Sequence, residues 1–350
     1  MFPMADVICV GGSVAGAAVA GFLARSGRHV IVLDRAEFPR LKACGEGLLP
    51  HGCGVLDRLG VALPEASTIT GIRFSLSGGA SAWLPFPGRA GRAVSRFVLD
   101  EAIRARAMAL GVEFVQARAL RVEPGRVITD RGMFEAPFLI GADGARSVFH
   151  SAFGVRARVP RRRVGFSSHW DGALAEAGEV HVTAFQGGEL YVAPVENGLV
   201  LASLLLDRRF VLEQGFSVSG MSAFLQERFP EMFGRARRIG PILGAYPLSV
   251  CVNRVSGSDW LLVGDAAGSV DPISGEGMSL ALCGAEIAAD CLVDGWDPTF
   301  YAERLWAMRR PIERLTWMML FLARHPRLAG LAFRFEKSLA PMMRVAVGES

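Results

Sequence analysis

The sequence has few lysines, no paired cysteines and no long apolar run. Only two of its 38 basic residues are lysines, Lys42 and Lys337, and the others are arginines. The six cysteines include no CxxC pair, which argues against a zinc site, and they are too sparse for a disulfide scaffold. The longest apolar candidate, residues 315–323, falls short of the roughly 20 residues that a membrane-spanning helix needs.

The charge and the first residues exclude further classes. A net charge of +4 without any nucleic-acid motif predicts no nucleic-acid partner. Residues 7–10 already read as a buried strand rather than as part of a signal peptide, so we expect a cytoplasmic protein. The 350 residues, 51% of them hydrophobic, exclude a disordered chain and leave room for about two domains.

An N-terminal strand–turn–helix–strand pattern occupies residues 6–34. Gly11 allows the sharp turn out of the strand, Gly16 lets the helix pack on the sheet, and the helix N-terminus can bind a pyrophosphate. Asp34 ends the second strand, where a carboxylate can accept hydrogen bonds from ribose hydroxyls. Ser13 replaces the middle glycine of the GxGxxG pattern. The unit therefore predicts dinucleotide binding, with the Ser13 side chain turned away from the phosphates or the loop set further off.

Two later segments indicate which dinucleotide binds. Residues 138–148 form an apolar strand that ends in Asp143-Gly144, and residues 259–282 form one that ends in Gly264-Asp265. Asp265 can hold ribityl hydroxyls. The loop 272–277 can place backbone N–H groups and a helix N-terminus beside a ring that becomes anionic on reduction.

These three motifs, in this order, resemble the FAD-binding motifs of the p-hydroxybenzoate hydroxylase class of flavoproteins. Residues 35–50 and 259–282 resemble its narrower geranylgeranyl-reductase-like branch, and the resemblance covers roughly residues 4–290. It implies FAD as cofactor. NAD(P)H is the expected electron donor, although the absence of a second GxGxxG segment fits a reductase fed by another donor equally well. The resemblance also implies an α/β fold, with a Rossmann-like FAD-binding domain, an antiparallel β-sheet substrate domain and a C-terminal helical segment.

The segments of the expected FAD-binding domain and substrate domain alternate along the chain. The FAD-binding domain takes residues 1–65, 91–150 and 256–297. The substrate domain takes an excursion at 66–90 and the segment 151–255, and the C-terminal helices take 298–350.

The resemblance also implies the cofactor contacts, by position. Lys42, Cys44 and Gly45 would lie near the pyrophosphate and the flavin, although Lys42 could equally be an ordinary surface lysine. The complete set of expected FAD contacts is Gly11, Gly12, Ser13, Ala15, Gly16, Asp34, Arg35, Lys42, Cys44, Gly45, Arg96, Asp143, Gly144, Gly264, Asp265, Pro272, Gly275 and Gly277.

Three side chains are the catalytic candidates. Cys44 precedes Gly45 in the motif expected nearest the ring. Glu46 and Glu276 each stand between two glycines, so turns rather than packing would place them, and one of them could relay protons or anchor a loop.

Residues 151–255 are expected to form an antiparallel sheet that covers the flavin, since several segments alternate between apolar and polar residues. Residues 217–238 are predicted as a helix. The inward face of the sheet is expected to carry Phe166, Trp170, Val182, Phe185 and Tyr191. The substrate-pocket candidates are His169, Phe185, Tyr191 and Pro194.

The C-terminal region predicts helices over 299–308, 312–324 and 328–339, with Pro311 in the first turn of the second. Its stretch 317–322 is apolar nearly all round and is flanked by arginines. One interpretation is a cap buried against the flavin domain. The other is a surface for a lipid-like substrate or a peripheral contact with a membrane.

The implied enzyme is an FAD-dependent oxidoreductase with a hydrophobic small-molecule substrate; its oligomeric state is left open. The first alternative is an NAD(P)H-dependent monooxygenase, which would hydroxylate an aromatic, quinone-type or polyketide substrate through a flavin C4a-hydroperoxide. The second is a reductase of prenyl or other C=C bonds, although residues 191–194 lack the Trp and Phe of the YxWxFP-like motif of such reductases. A halogenase is less favoured because no WxWxIP motif occurs.

Overall fold

The computed structural model describes residues 5–63, 65–77, 79–334 and 344, and within them 20 strands and ten α-helices. The strands are β1 (Val7–Val10), β2 (Val30–Asp34), β3 (Gly47–Leu48), β4 (Ser67–Ile69), β5 (Gly71–Leu76), β6 (Ser81–Pro85), β7 (Gly91–Ala93), β8 (Glu113–Gln116), β9 (Ala119–Glu123), β10 (Arg126–Thr129), β11 (Gly132–Glu135), β12 (Phe138–Gly141), β13 (Ala157–Arg158), β14 (Arg163–Asp171), β15 (Glu179–Phe185), β16 (Gly188–Pro194), β17 (Val200–Asp207), β18 (Arg237–Ala245), β19 (Cys251–Val252) and β20 (Trp260–Leu262). The helices are α1 (Val14–Arg25), α2 (Pro50–Leu59), α3 (Arg96–Ala109), α4 (Val148–Ala152), α5 (Arg208–Glu213), α6 (Met221–Arg228), α7 (Pro230–Phe233), α8 (Gly277–Asp294), α9 (Pro298–Arg324) and α10 (Pro326–Phe333). Short 3₁₀ helices occupy Glu196–Gly198, Gly264–Ala267 and Pro272–Ser274.

A five-stranded parallel sheet forms the centre of the larger core. Its strand order is β20-β12-β1-β2-β8. The strands β1 and β20 are buried along their whole length, which explains their continuous apolar runs. The alanine- and glycine-rich helix α1 packs against α8 and α3. The predicted Rossmann-like α/β fold is therefore confirmed.

A seven-stranded sheet forms the second layer, in the order β18-β14-β17-β16-β15-β5-β6, antiparallel except where β5 runs parallel to β15. Because side chains alternate between faces along a strand, the sheet separates two apolar clusters. Val182 and Tyr191 face the cluster that includes Leu315 of α9. The expectation of a single inward face was wrong, because Phe166, Trp170 and Phe185 belong to the opposite face. That face is covered by α6 and α7.

The helical predictions need two corrections. Residues 217–238 form two short helices, α6 and α7, followed by the start of β18 at Arg237, because Pro230 ends the first helix and begins the second. Pro311 lies inside the continuous helix α9 rather than at a start. It leaves the Ala307 carbonyl without its usual partner, but Ala307 is exposed, and the buried residues beyond the proline hold the helix in place.

The last predicted helix is shorter in the described part of the chain. Helix α10 ends at Phe333, and the remainder of the predicted segment, from residue 335, lies outside the described residues. No helix among the described residues combines the length and the hydropathy needed to cross a bilayer.

Candidate active site

The glycine turn between β1 and α1 brings three strand ends together. Gly11 has a φ of 104°, and a Cβ there would lie 2.3 Å from the Ala142 carbonyl oxygen. A Cβ on Gly16 would lie only 1.7 Å from the Gly11 carbonyl oxygen. The Gly12 N–H donates to Asp34 Oδ2 at 2.7 Å, so the acid that ends β2 also fixes the turn. Only glycine fits at positions 11 and 16 because backbone occupies the space that a side chain would need.

The Ser13 side chain is held by two residues of α3. Its Oγ donates to Asp100 Oδ2 at 2.7 Å and accepts from Arg96 Nη2 at 2.6 Å. Arg96 and Asp100 form a buried ion pair of 2.7 Å. Burial opposes the charge of the guanidinium, but Asp100 outweighs it and the pKa of Arg96 rises. Asp100 was missed, although its position four residues after Arg96 on a predicted helix was a usable signal.

Lys42 faces the same region without an ion-pair partner among the described residues. By exposed area the side chain is half-buried, yet protein surrounds it closely, as expected for a residue that lines a cleft. Desolvation and the neighbouring Arg96 lower the pKa of Lys42, while the charges of Asp265 and Asp100 act in the opposite direction. An anionic group beside Lys42 would offset this cost.

These features fit an extended dinucleotide such as FAD. Helix α1 has no side-chain cap, so the N–H groups of its first turn remain as donors for a pyrophosphate. Lys42 would add a cation beside them, Asp34 would hold the ribose, and the exposed Asp265 would hold the ribityl chain.

The other predicted contacts differ in their exposure and backbone conformation. Ala15 is buried in α1, whereas Arg35 and Gly45 are exposed. The remaining glycines mostly serve turns: Gly144, Gly264 and Gly275 have φ values of 90°, 58° and 70°. Asp143 accepts from the Val148 N–H at 2.8 Å. Burial raises the pKa of its carboxyl, whereas its hydrogen bonds with Ser147 and Val148 lower that pKa.

Glu46 connects the glycine-rich segment to the large sheet. It is 2% exposed and has a φ of 53°, a left-handed conformation that is uncommon for a non-glycine residue. Its Oε1 accepts from the Arg96 backbone N–H at 3.0 Å, and its Oε2 lies 2.7 Å from His169 Nε2. Burial disfavours the imidazolium, but the Glu46 hydrogen bond and charge outweigh it, so the pKa of His169 is raised. Two residues selected separately from the sequence thus form one pair.

Cys44 and its neighbours lie beside this pair. The Cys44 N–H donates to Ser167 Oγ at 3.4 Å, and its thiol helps to raise the pKa of Arg96. The Ser95 N–H, at the start of α3, donates to the buried Glu196 carboxylate at 2.9 Å. Ser167 and Glu196 were missed, since both are more than 100 residues away from their partners and leave no local pattern.

Glu276, in the loop 272–277, is fully buried beside α2. Its Oε2 lies 3.2 Å from His51 Nε2, and neither carboxylate oxygen has a well-aligned hydrogen bond among the described residues. Burial raises the pKa of Glu276 to about 7, and His51 reduces that rise. A proton can therefore reside on this carboxyl near neutral pH. His51 was missed because nothing in its local sequence distinguishes it.

A loop clamp joins the large sheet to the segment 271–275; we define it as Arg163, Glu189 and Tyr191 with their partners Asp271 and Ile273. Arg163 Nη1 donates to Asp271 Oδ1 at 2.6 Å, and Nη2 donates to Glu189. The Tyr191 hydroxyl donates to the Ile273 carbonyl. Burial raises the pKa of Glu189 to about 7 even though Arg163 acts in the opposite direction. Of these residues only Tyr191 had been selected for the site.

An apolar cavity of about 70 Å³ lies between the large sheet and the C-terminal helices. Its lining includes Ile273 and Ser274, in the loop expected beside the flavin ring, and Ala329 and Phe333 of α10. Glu189 is the titratable member among the described lining residues. The walls are formed mainly by Ile72, Leu84, Val182, Leu315 and Met319.

The four substrate-pocket candidates are divided among different places. His169 pairs with Glu46, and Tyr191 belongs to the loop clamp. Phe185 packs against Phe229 on the opposite face of the sheet, with ring centroids 5.9 Å apart. Pro194 lies at the end of β16, opposite Val200.

Several known proteins are similar in sequence to most of this chain. A menaquinone reductase of Mycolicibacterium smegmatis is 32% identical over 321 residues, 83% of this chain and 77% of the relative. A digeranylgeranylglycerophospholipid reductase of Methanopyrus kandleri is 28% identical, covering 82% and 77%. A ubiquinone hydroxylase of Rhodospirillum rubrum is also 28% identical, covering 88% and 78%. No family model matches the chain.

Solved structures share the fold. A flavin-dependent brominase superposes with a TM-score of 0.86, covering 99% of this chain and 94% of its own, at 17% identity. An oxygenase of 2-methyl-3-hydroxypyridine-5-carboxylic acid gives a TM-score of 0.77 at 20% identity, covering 99% and 96%. At these identities the likeness concerns the fold alone.

Proposed function

The chain belongs to the superfamily of FAD-dependent oxidoreductases that includes menaquinone reductases and geranylgeranyl reductases, and from this premise we propose that it reduces a C=C bond in the isoprenoid chain of a quinone-type or other lipid. The finer assignment, to the geranylgeranyl-reductase-like branch of the p-hydroxybenzoate hydroxylase class, is part of the proposal. So is NAD(P)H as the electron donor.

The cavity is the observation that carries the proposal. Its almost wholly apolar walls suit a hydrocarbon chain better than a polar group. Its lining includes Ile273 and Ser274, in the loop expected to hold the FAD ring. From the sequence alone hydroxylation is the first alternative; we favour chain reduction because the cavity lining is apolar and because the relatives include menaquinone and geranylgeranyl reductases.

Reduction of a double bond adds two electrons and two protons. Bound FAD, once reduced by the external donor, would supply a hydride equivalent. The second proton has to come from the protein or solvent. Glu189 can hold a proton near neutral pH and lines the cavity, so it is our candidate donor. The loop clamp would hold this carboxyl and the loop 271–275 in a fixed relation.

Turnover without oxygen tests the proposal directly. The FAD-loaded protein is incubated anaerobically with NADPH or NADH and with menaquinone or a geranylgeranyl lipid, and the product is analysed by mass spectrometry. We expect a product that has gained two hydrogen atoms in its side chain. If no lipid is reduced anaerobically while labelled dioxygen enters the product in air, the reductase proposal is wrong.

A pair of variants tests the role of the cavity. Met319→Trp places a bulky side chain in the cavity wall, whereas Met108→Trp places it on the exposed surface of α3. We expect Met319→Trp to lose turnover of long-chain substrates while it retains bound FAD and its visible spectrum, and Met108→Trp to behave as the wild type. Equal turnover of long chains by both variants would contradict the assignment of the cavity.

Hydroxylation of a quinone-type or aromatic substrate is the second candidate. The relative named ubiquinone hydroxylase favours it, because the match extends over 88% of the chain. Oxygen-dependent consumption of NAD(P)H, coupled to incorporation of one oxygen atom, would support this alternative.

A further inference from the structure

Five large apolar side chains are exposed on one surface of α9 and α10. Each is between 40 and 59% exposed. We call this surface, together with the arginines described next, the C-terminal face. Its apolar members are Trp317, Met318, Phe321, Leu328 and Leu331.

The helical spacing explains why these side chains share a surface. Phe321 follows Trp317 by four residues and Met318 by three, so all three lie on one side of α9. The other side of α9 is buried through Leu315 and Leu320. Helix α9 thus packs against the protein through one side and carries exposed apolar side chains on the other.

Basic side chains surround the apolar members. Arg324 lies 3.6 Å from Asp207, whereas Arg310, Arg314, Arg327 and Arg334 have no acidic partner within the described part of the chain. A further arginine, Arg161, stacks 4.3 Å from the centre of the Trp317 ring. The basic members of the C-terminal face are Arg310, Arg314, Arg324, Arg327 and Arg334, all exposed.

We propose that the C-terminal face binds the surface of an anionic lipid bilayer. Exposed aromatic and aliphatic side chains enter the headgroup boundary of a bilayer, and arginines beside them gain from the negative surface potential. A second copy of the chain fits this surface poorly, because a two-fold symmetric contact would bring the same arginines together.

The cavity adjoins the two helices that form the C-terminal face. Met319 and Leu322 of α9, and Ala329 and Phe333 of α10, line the cavity on the inner side of the helices that form the C-terminal face. A lipid chain could then pass from the bilayer to the cavity with little exposure to water. This passage rests on the proposed function, whereas the docking itself does not.

Vesicle binding tests the docking. The full-length, FAD-loaded protein is sedimented with vesicles of phosphatidylcholine alone or of phosphatidylcholine with phosphatidylglycerol. We expect binding to the anionic vesicles that weakens as salt is raised. Arg324→Gln/Arg327→Gln should lower the partition coefficient about fivefold for each arginine. Its matched control is Arg118→Gln/Arg131→Gln, two exposed arginines elsewhere.

A second pair of variants tests the apolar contribution. Trp317→Ser/Phe321→Ser should weaken binding about tenfold or more. Leu120→Ser/Met133→Ser removes similarly exposed side chains from the β9–β11 sheet and should leave binding unchanged. The visible flavin spectrum of each variant shows whether it is folded.

Three results would overturn the inference: equal affinity for neutral and anionic vesicles, equal losses in the control variants, or a dimer that disperses in Trp317→Ser/Phe321→Ser while no vesicles are bound. Docking without lipid reduction would leave the inference standing and contradict the proposed function. Lipid reduction in detergent without vesicle binding would do the reverse.

Discussion

Replacing Glu276 by glutamine should change the pH dependence of stability. The carboxyl is fully buried, and burial raises its pKa to about 7 from a usual value of 4.5. The folded state therefore binds this proton more tightly than the unfolded state. The stabilisation is complete below the unfolded pKa and is lost as the pH rises towards 7, where the buried group ionises.

The size of the effect follows from the two pKa values. The gap between 4.5 and about 7 corresponds to about 3.5 kcal/mol, at about 1.4 kcal/mol for each pH unit. Glutamine has a similar shape and no proton to lose. The advantage of Glu276→Gln over the wild type should therefore grow by up to about 3 kcal/mol between about pH 5 and pH 8.

Urea unfolding at several pH values measures this difference. The protein is kept saturated with FAD throughout, since ligand binding adds its own contribution to stability. The matched control is Glu303→Gln, an exposed glutamate on α9, which should follow the wild type at every pH. If the wild-type and Glu276→Gln curves run parallel across the whole range, the carboxyl is ionised throughout and the reasoning is wrong.

Three further predictions concern the cofactor cleft. Gly16→Ala should cost about 3 kcal/mol or more, because its Cβ would meet the Gly11 carbonyl, and should purify without FAD; full FAD content with an unchanged unfolding midpoint would refute this. Lys42→Met should weaken FAD binding about 10- to 100-fold in a fluorescence titration, yet raise the unfolding midpoint of the FAD-free protein; stronger FAD binding would contradict it. Glu46→Gln should lower the pKa of His169 in an NMR titration, and an unchanged value would show that the two side chains are not coupled.

The motifs carried most of what could be predicted from the sequence. Strand, turn and helix in residues 6–34 are governed by local chemistry, because glycine is required where backbone atoms approach closely. The parallel sheet followed from continuous apolar strands. Within the site, Ser13 and Arg96 could be selected by position in a motif, and Asp100 lay within reach of the helical spacing.

The rest depended on contacts between distant segments. The bond between Arg163 and Asp271 joins residues 108 positions apart, and no local pattern indicates it. No local pattern indicates the contact between Glu46 and His169 either, and these two residues were selected for different reasons. The error on the faces of the sheet was avoidable, since Val182 and Phe185 are an odd number of residues apart and must point to opposite sides.

The order of strands in the five-stranded sheet has a consequence for synthesis of the chain. Strand β1 pairs on one side with β2, which follows it closely in the sequence. On its other side it pairs with β12, and β20 pairs with β12 at the edge of the sheet. Helix α1 packs on α8, which comes later still. At about 5–20 residues per second, some 250 residues and roughly 12–50 s separate the emergence of β1 from that of β20. During that interval the apolar β1–α1 unit lacks its cover and is open to aggregation. We therefore expect the nascent chain to depend on chaperones until α8 has emerged, and FAD to bind only after that.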